Sequence, residues 1–127
     1  MKLLLDTHVL FWWCIKPTEL STQARLAIED TAEIFVSAAS AWEIATKVRI
    51  GKWDEARDIA ERFTAHLAAE EFDELPVRVV HGRHAGLMPG KHKDPFDRLI
   101  LAQALIEGMT IVTADPKLSD FGAPVIW

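Results

Sequence analysis

Apolar positions along this chain fall into two patterns that alternate from end to end. Short unbroken runs at Lys2–Leu5, Ile34–Val36, Thr110–Val112 and Val125–Ile126 are too brief for helices and read as buried strands. A further short strand is expected near Asp73–Leu75, ended by Pro76. The stretches between them carry helical signals. Val9–Ile15 is apolar nearly throughout and stops before Pro17. Ser21 is placed to cap a helix running to about Asp30, with Leu20 as its apolar staple. Ser40 to about Ile50 reads as a helix closed by Gly51. Asp54 is expected to cap the clearest amphipathic helix, in which Ala56, Ile59, Ala60, Phe63 and Leu67 share one face. Val77–Leu87 reads as a weak helix interrupted by Gly82 and Gly86, and Met88–Lys93 as a loop. Asp94-Pro95 then opens a strongly apolar helix to Glu107, with Gly108 just past its end. Strands alternating with helices predict an α/β fold, a three-layer α/β/α sandwich around a mainly parallel sheet.

Length and composition narrow the picture modestly. The 127 residues suit a single domain, 1–127, with no internal repeat, low-complexity stretch or linker. No apolar run approaches the roughly 20 residues of a membrane-spanning helix. Asp6 arrives too early for the apolar core of a signal peptide. Cys14 has no cysteine partner and is expected as a small buried hydrophobe in an intracellular protein. The net charge of −5 weighs mildly against nucleic acid, because phosphate affinity comes from Lys and Arg. That argument weakens if several acids are neutralised by a bound metal.

Four acids change the picture more. Asp6 follows the first apolar run, and Asp115 closely follows Ile111–Val112. Glu43 and Asp97 are each expected in the first turn of a helix. Each has a structural explanation: Ser40-Ala-Trp-Glu43 matches a capping box, Asp94 can cap the helix that carries Asp97, and Asp6 and Asp115 can each cap a helical turn beginning just after them. Their joint placement favours a shared site. In an open parallel sheet, functional sites form outside the carboxyl ends of the strands, where these four settings meet. Gathered carboxylates repel one another unless a hard divalent cation holds them. Mg²⁺ or Mn²⁺ in such a site suits phosphodiester hydrolysis by a metal-activated water. No Ser–His–Asp order, zinc-type Cys/His spacing or phosphate-cradling glycine loop competes for the role.

The strings Leu4-Leu5-Asp6-Thr7-His8, Ser37-Ala-Ala-Ser40-Ala-Trp42-Glu43-Ile44, Asp94-Pro-Phe-Asp97-Arg98-Leu-Ile100 and Val112-Thr113-Ala-Asp115 resemble, in order, the motifs of the PIN-domain ribonucleases. Their order, with a total length close to one such domain, resembles in particular the VapC-type toxins of bacterial and archaeal toxin–antitoxin pairs. By position, the resemblance implies Asp6, Glu43 and Asp97 as the core metal-binding acids and Asp115 as a fourth. It implies that the Thr113 hydroxyl helps arrange the site. It further implies a five-stranded parallel sheet, Mg²⁺ or Mn²⁺, endonucleolytic cleavage of RNA in the cytoplasm, a homodimer, and inhibition by a cognate antitoxin protein. Two positions depart from the pattern. His8 stands where many family members have a small polar residue, and the third motif holds both Asp94 and Asp97. The apolar helix behind Asp97 favours it as the ligand and leaves Asp94 as cap or helper.

Other residues have two readings each. Lys93 and Arg98, with Lys91, flank the third acid and are candidates for RNA phosphates; Lys47, Arg49 and Lys52 follow the second. The bland alternative for all six is a solvated face. Trp12, Trp13, Trp42 and Trp53 suit base stacking, but Trp12 and Trp42 lie in apolar helical settings that point to core or subunit interface. His81 and His84 lack a third ligand for a second metal site. Two rival functions stand beside ribonuclease: a phosphatase using Asp6 as nucleophile, and a non-catalytic binding module whose acids are only caps. The phosphatase reading wants a second Asp where the chain has His8.

Overall fold

A computed structural model describes the whole chain, Met1–Trp127. Its centre is β1 (Lys2–Leu5), whose three leucines are fully buried. β2 (Glu33–Ser37) and β4 (Thr110–Val112) pair with it on either side, β3 (Asp73–Leu75) lies outside β2, and β5 (Val125–Ile126) lies outside β4. All four pairings are parallel, so the order is β3-β2-β1-β4-β5. The register sets Leu5 level with both Val36 and Val112. Asp6, Ser37 and Thr113 therefore leave the sheet side by side.

Alternation along β1 divides the core in two. Leu3 and Leu5 face one layer with Val9, Leu10, Ile28, Ile44 and Ile59; Leu4 faces the other with Ile100, Leu101, Ala104 and Leu118. The first layer is built from α1 (Thr7–Ile15), α2 (Thr22–Asp30), α3 (Ala38–Arg49), α4 (Arg57–Glu61) and α5 (Phe63–Glu70). The second carries α7 (Pro95–Glu107), against which α6 (Val79–Leu87) packs. This is the three-layer α/β/α sandwich with a five-stranded parallel sheet. Burial on both faces explains why the strands read as unbroken apolar runs.

Local chemistry matches expectation at several ends. The Ser21 hydroxyl accepts from the Ala24 amide at 3.0 Å, and Asp94 Oδ1 accepts from Phe96 and Asp97 at the start of α7. Gly108 takes the left-handed conformation that ends α7. Elsewhere the structure differs. α3 starts at Ala38 because the Ser37 hydroxyl accepts from the Ala39 amide, so Ser37, not Ser40, is the cap. Ser40 lies inside the helix, its hydroxyl 2.9 Å from that of Thr7, and Glu43 stands in the second turn, not the first. The capping-box reading of Ser40 and Glu43 fails for that reason.

The amphipathic stretch after Asp54 is not one helix. Asp54–Ala56 forms a tight 3₁₀ turn without a side-chain cap, and the backbone of Arg62 leaves helical geometry between α4 and α5. Ala56, Ile59 and Leu67 are still buried, so burial follows the stripe across the break. α6 begins two residues later than expected. Trp42 is 58% exposed and meets Phe96 edge-on at 4.8 Å, which removes the core reading for it. Cys14 is half-buried against the first core layer, and burial pushes its thiol up to about 11. No helix is long and apolar enough to cross a membrane.

If β1 is the pin of both layers, Leu4→Ala should lower unfolding free energy by about 2–5 kcal/mol. Ser37→Ala should cost about 1 kcal/mol through the lost cap. Urea unfolding followed by circular dichroism measures both; a negligible loss at Ser37 would show that another group caps α3.

Candidate metal centre

The carboxyl edge of the sheet brings the acids together. Asp6 ends β1 and caps α1: its Oδ1 accepts from the Thr7 amide at 2.7 Å. Its Oδ2 accepts from the Thr113 hydroxyl at 2.8 Å, and Thr113 Oγ1 in turn accepts from the Asp115 amide at 3.0 Å. A relay of two bonds thus fixes Asp6 against the end of β4. Glu43 is buried on α3, where Lys47 Nζ donates to its Oε2 at 2.6 Å. That ammonium also lies 5.7 Å from the Trp53 ring centre. Asp97, in the first turn of α7, holds the imidazole of His92 at 2.8 Å between Oδ2 and Nε2. Asp115 caps the 3₁₀ turn Pro116–Phe121 by accepting from the Lys117 amide.

One cleft of about 330 Å³ is lined by Asp6, Glu43, Asp94, Asp97 and Asp115, with Lys47, His8 and Trp12 completing its wall. The four acids singled out in the sequence are gathered here, and Asp94 joins them. Burial raises Asp6 above its ordinary range and the charge of Glu43 adds to the effect; the bonds from Thr113 and Thr7 resist it. Asp97 is pushed up to about 6, first by burial and then by the charges of Asp94 and Asp6, while the His92 bond pulls the other way. Five carboxylates face one lysine across this cleft.

As the side chains lie, each of the three core acids is engaged by a protein partner, and no three of them stand at ligating geometry. The donor set nevertheless fits a hard divalent cation. It consists of carboxylate oxygens on one cleft wall, and two of those acids, Asp6 and Asp97, are held above their ordinary range, first by burial and then by neighbouring carboxylates. Side-chain rotation, with Lys47 yielding Glu43, is what ligation would require.

The remaining candidates separate. Thr113 touches Asp6 as described. His8 stacks on Trp53 with ring centres 4.7 Å apart, and Trp12 packs on Trp127 at 5.7 Å, so both aromatic contacts are internal. Lys93 lines an open hollow of about 800 Å³ together with Lys91, Lys117, Asp120, His92 and Phe121. That larger hollow is not the acidic cleft but meets it through His92, which contacts Asp97. Arg98 turns away from the site: its guanidinium donates to the carbonyls of Ala85, Met88 and His92. This internal duty stands against the phosphate role suggested by its position in the sequence. His81 is fully buried, its Nδ1 accepting from the Arg78 amide at 2.9 Å, whereas His84 is exposed; the pair forms no metal site. His92 was not singled out in the sequence, since a lone histidine in a loop five residues before an acid has no periodicity to betray it. Lys47, a phosphate candidate by its place after the second acid, is instead paired with Glu43 one helical turn away.

A PIN domain family model matches residues 3–124. Ribonuclease VapC22 of Mycobacterium tuberculosis is 33% identical over 132 aligned residues, covering 95% of this chain and 92% of that protein. Among solved structures, DNA-bound VapBC from Salmonella typhimurium superposes with a TM-score of 0.69 at 18% identity, over 98% of this chain and 96% of that one. FitAcB from Neisseria gonorrhoeae gives 0.61 at 19% identity, over 97% and 95%. At those identities the two structures bear on the fold alone.

The state of Asp97 yields a pH dependence. Its carboxyl titrates near 6 in the folded chain against an ordinary value of 3.8. Between those values the folded state keeps a proton that the unfolded chain has released. Its stabilising contribution is full below about 3.8 and is lost as pH rises through about 6. In chelator, Asp97→Asn should flatten the fall in melting temperature between pH 4.5 and pH 7.5. A cation competes with the same proton, so apparent Mn²⁺ affinity should climb with pH through about 6 and then level. Calorimetric titrations across that range check this; affinity independent of pH would remove Asp97 from the site.

Proposed function

The chain belongs to the PIN-domain family, and on that premise we propose that it is a divalent-metal-dependent endoribonuclease, the toxin of a type II toxin–antitoxin pair. The observation that carries this reading is the convergence of Asp6, Glu43 and Asp97 on one cleft at the carboxyl edge of a parallel sheet. Those three would hold Mg²⁺ or Mn²⁺, with Asp115 completing the set. A divalent cation there supplies Lewis-acid activation of water and offsets charge on the phosphate. The chain's own residues do the rest. Thr113 fixes Asp6 in direction, and Asp94 caps α7 so that the Asp97 carboxylate is free of its own helix end. Lys47, the one cation on the cleft wall, is placed to meet a phosphate.

RNA would continue across the neighbouring hollow. Lys91, Lys93 and Lys117 line it, and none of the three is in an ion pair. A phosphatase using Asp6 gains no support, because His8 occupies the place of a second acid. A cognate antitoxin partner follows from the reading as a toxin, and VapBC and FitAB assemblies share the fold. A homodimer is supported by exposed apolar side chains on α6, Val79 and Leu87 among them, and light scattering tests it. A toxin that cleaves cellular RNA would act in the cytoplasm.

Asp6→Asn and Asp97→Asn should each lower RNA cleavage by at least about a hundredfold while melting cooperatively. Sequencing RNA ends after brief expression, wild type beside Asp6→Asn, reads the activity and its target together. Full cleavage by a folded Asp97→Asn protein would sink the assignment, and absence of Mn²⁺ binding at millimolar metal would favour a binding module. Lys93→Glu combined with Lys117→Glu should weaken RNA binding and flatten its salt dependence. Unchanged binding in a filter assay would place the strand elsewhere.

A further inference from the structure

Asp97 and Arg98 are neighbours in sequence but serve opposite sides of the start of α7. Arg98 Nε donates to Ala85 O at 2.8 Å, one terminal nitrogen donates to His92 O at 2.8 Å, and the other donates to Met88 O. One guanidinium thus holds three carbonyls from the end of α6 and the loop leading to α7. A planar fork with five N–H groups can do this; an ammonium offers only three donors from a single point.

The held loop returns the His92 ring to Asp97, where Nε2 lies 2.8 Å from Oδ2. The same ring packs edge-on to Phe121, with centres 5.8 Å apart. Gly90 fixes the approach. Its backbone has φ +124 and passes so close to Phe121 that a Cβ would stand 2.6 Å from the ring. Asp97, Arg98, the His92 backbone and the His92 ring therefore form a closed circuit around the first turn of α7. The Asp97 side chain is only 19% exposed and that of His92 only 13%, so water competes weakly for their bond.

We infer that His92 is a positioning residue for the Asp97 carboxylate, held in place by Arg98. The inference rests on the reading of Asp97 as a metal-holding acid. An ionised carboxylate only accepts, so the imidazole N–H must donate to it, fixing one oxygen and leaving the other without a protein partner on a side chain that lines the cleft. Carboxylates that hold metals are commonly oriented this way, and loss of the orienting partner typically weakens metal binding about 10–100-fold. A purely structural His92 would instead serve only to pack the loop on Phe121.

The two roles separate by substitution. His92→Phe keeps an aromatic ring on Phe121 and removes the donor; His92→Gln can keep an N–H near the Nε2 position. Calorimetric Mn²⁺ titration of the RNA-free protein should show affinity weakened about 10–100-fold in His92→Phe and restored to within a few-fold of wild type in His92→Gln. Thermal melts in chelator establish that each variant is folded. Arg98→Lys keeps the charge, loses the fork, and should also weaken Mn²⁺ binding, which gives a second measurement should His92→Phe not fold. Asp97→Asn is the reference. If it weakens binding while His92→Phe or Arg98→Lys binds as wild type, or His92→Gln binds no better than His92→Phe, the inference fails and the metal assignment stands. If Asp97→Asn itself binds Mn²⁺ as wild type does, the metal assignment falls and the inference falls with it.

Discussion

Asp6 leaves the central strand where β1 gives way to α1, and its carboxylate is buried there between the Thr7 amide and the Thr113 hydroxyl. The parallel register forces this position, because Leu5 is level with Val112 and the next residue on each strand must emerge at the same edge. A buried carboxylate with two donors is better placed than one with none, yet burial still raises its pKa. The same edge gathers five carboxylates around one lysine, so it is also short of positive charge. The fold tolerates that shortage because the leucines of β1 are wholly buried in two core layers, and their apolar burial is independent of the site. Local electrostatic cost at a functional edge, offset by packing elsewhere, is the usual arrangement in enzymes.

Helix starts around this edge divide their duties in different ways. At α7, Asp94 takes the capping role with one oxygen on two amides, and Asp97 is left to the cleft. At α1, Asp6 does both, one oxygen for the cap and the other towards Thr113. At α3 the cap is a hydroxyl, Ser37, and the acid has moved inward to the second turn. Capping and metal binding are therefore not competing explanations of an acid at a helix start. They compete only for individual oxygens, and each helix resolves that contest with different residues.

Much of this architecture was legible in the chain because its signals are local. Apolar runs marked the strands, Asp94-Pro95 and Gly108 marked both ends of α7, and the position of acids after strands marked the site. What escaped depended on distance in space. Ser37 and Ser40 are equally good caps by composition; the end of β2 decides between them. The apolar stripe after Asp54 has helical period, but the period carries no information about the backbone break at Arg62. Arg98 beside an acid looks like a phosphate ligand until three carbonyls claim it. His92 is silent in sequence because its partner Asp97 belongs to the next element.

Charge balance across the cleft explains why a lysine is no substitute for a divalent ion. Lys47 is bound to Glu43 at 2.6 Å and bears one positive charge, while Asp6 and Asp97, raised first by burial, make no bond to it. An ammonium on a helix can neutralise the acid one turn away, but it cannot bridge acids drawn from three separate elements. A divalent ion has both the charge and the coordination number to do so. The same reasoning bears on the net charge of −5, which looks unsuited to a polyanionic substrate. Acids that face a cation are no barrier to phosphate, and three unpaired lysines, Lys91, Lys93 and Lys117, line the adjoining hollow against one acid, Asp120. For RNA approaching this edge, the distribution of charge therefore matters more than its sum.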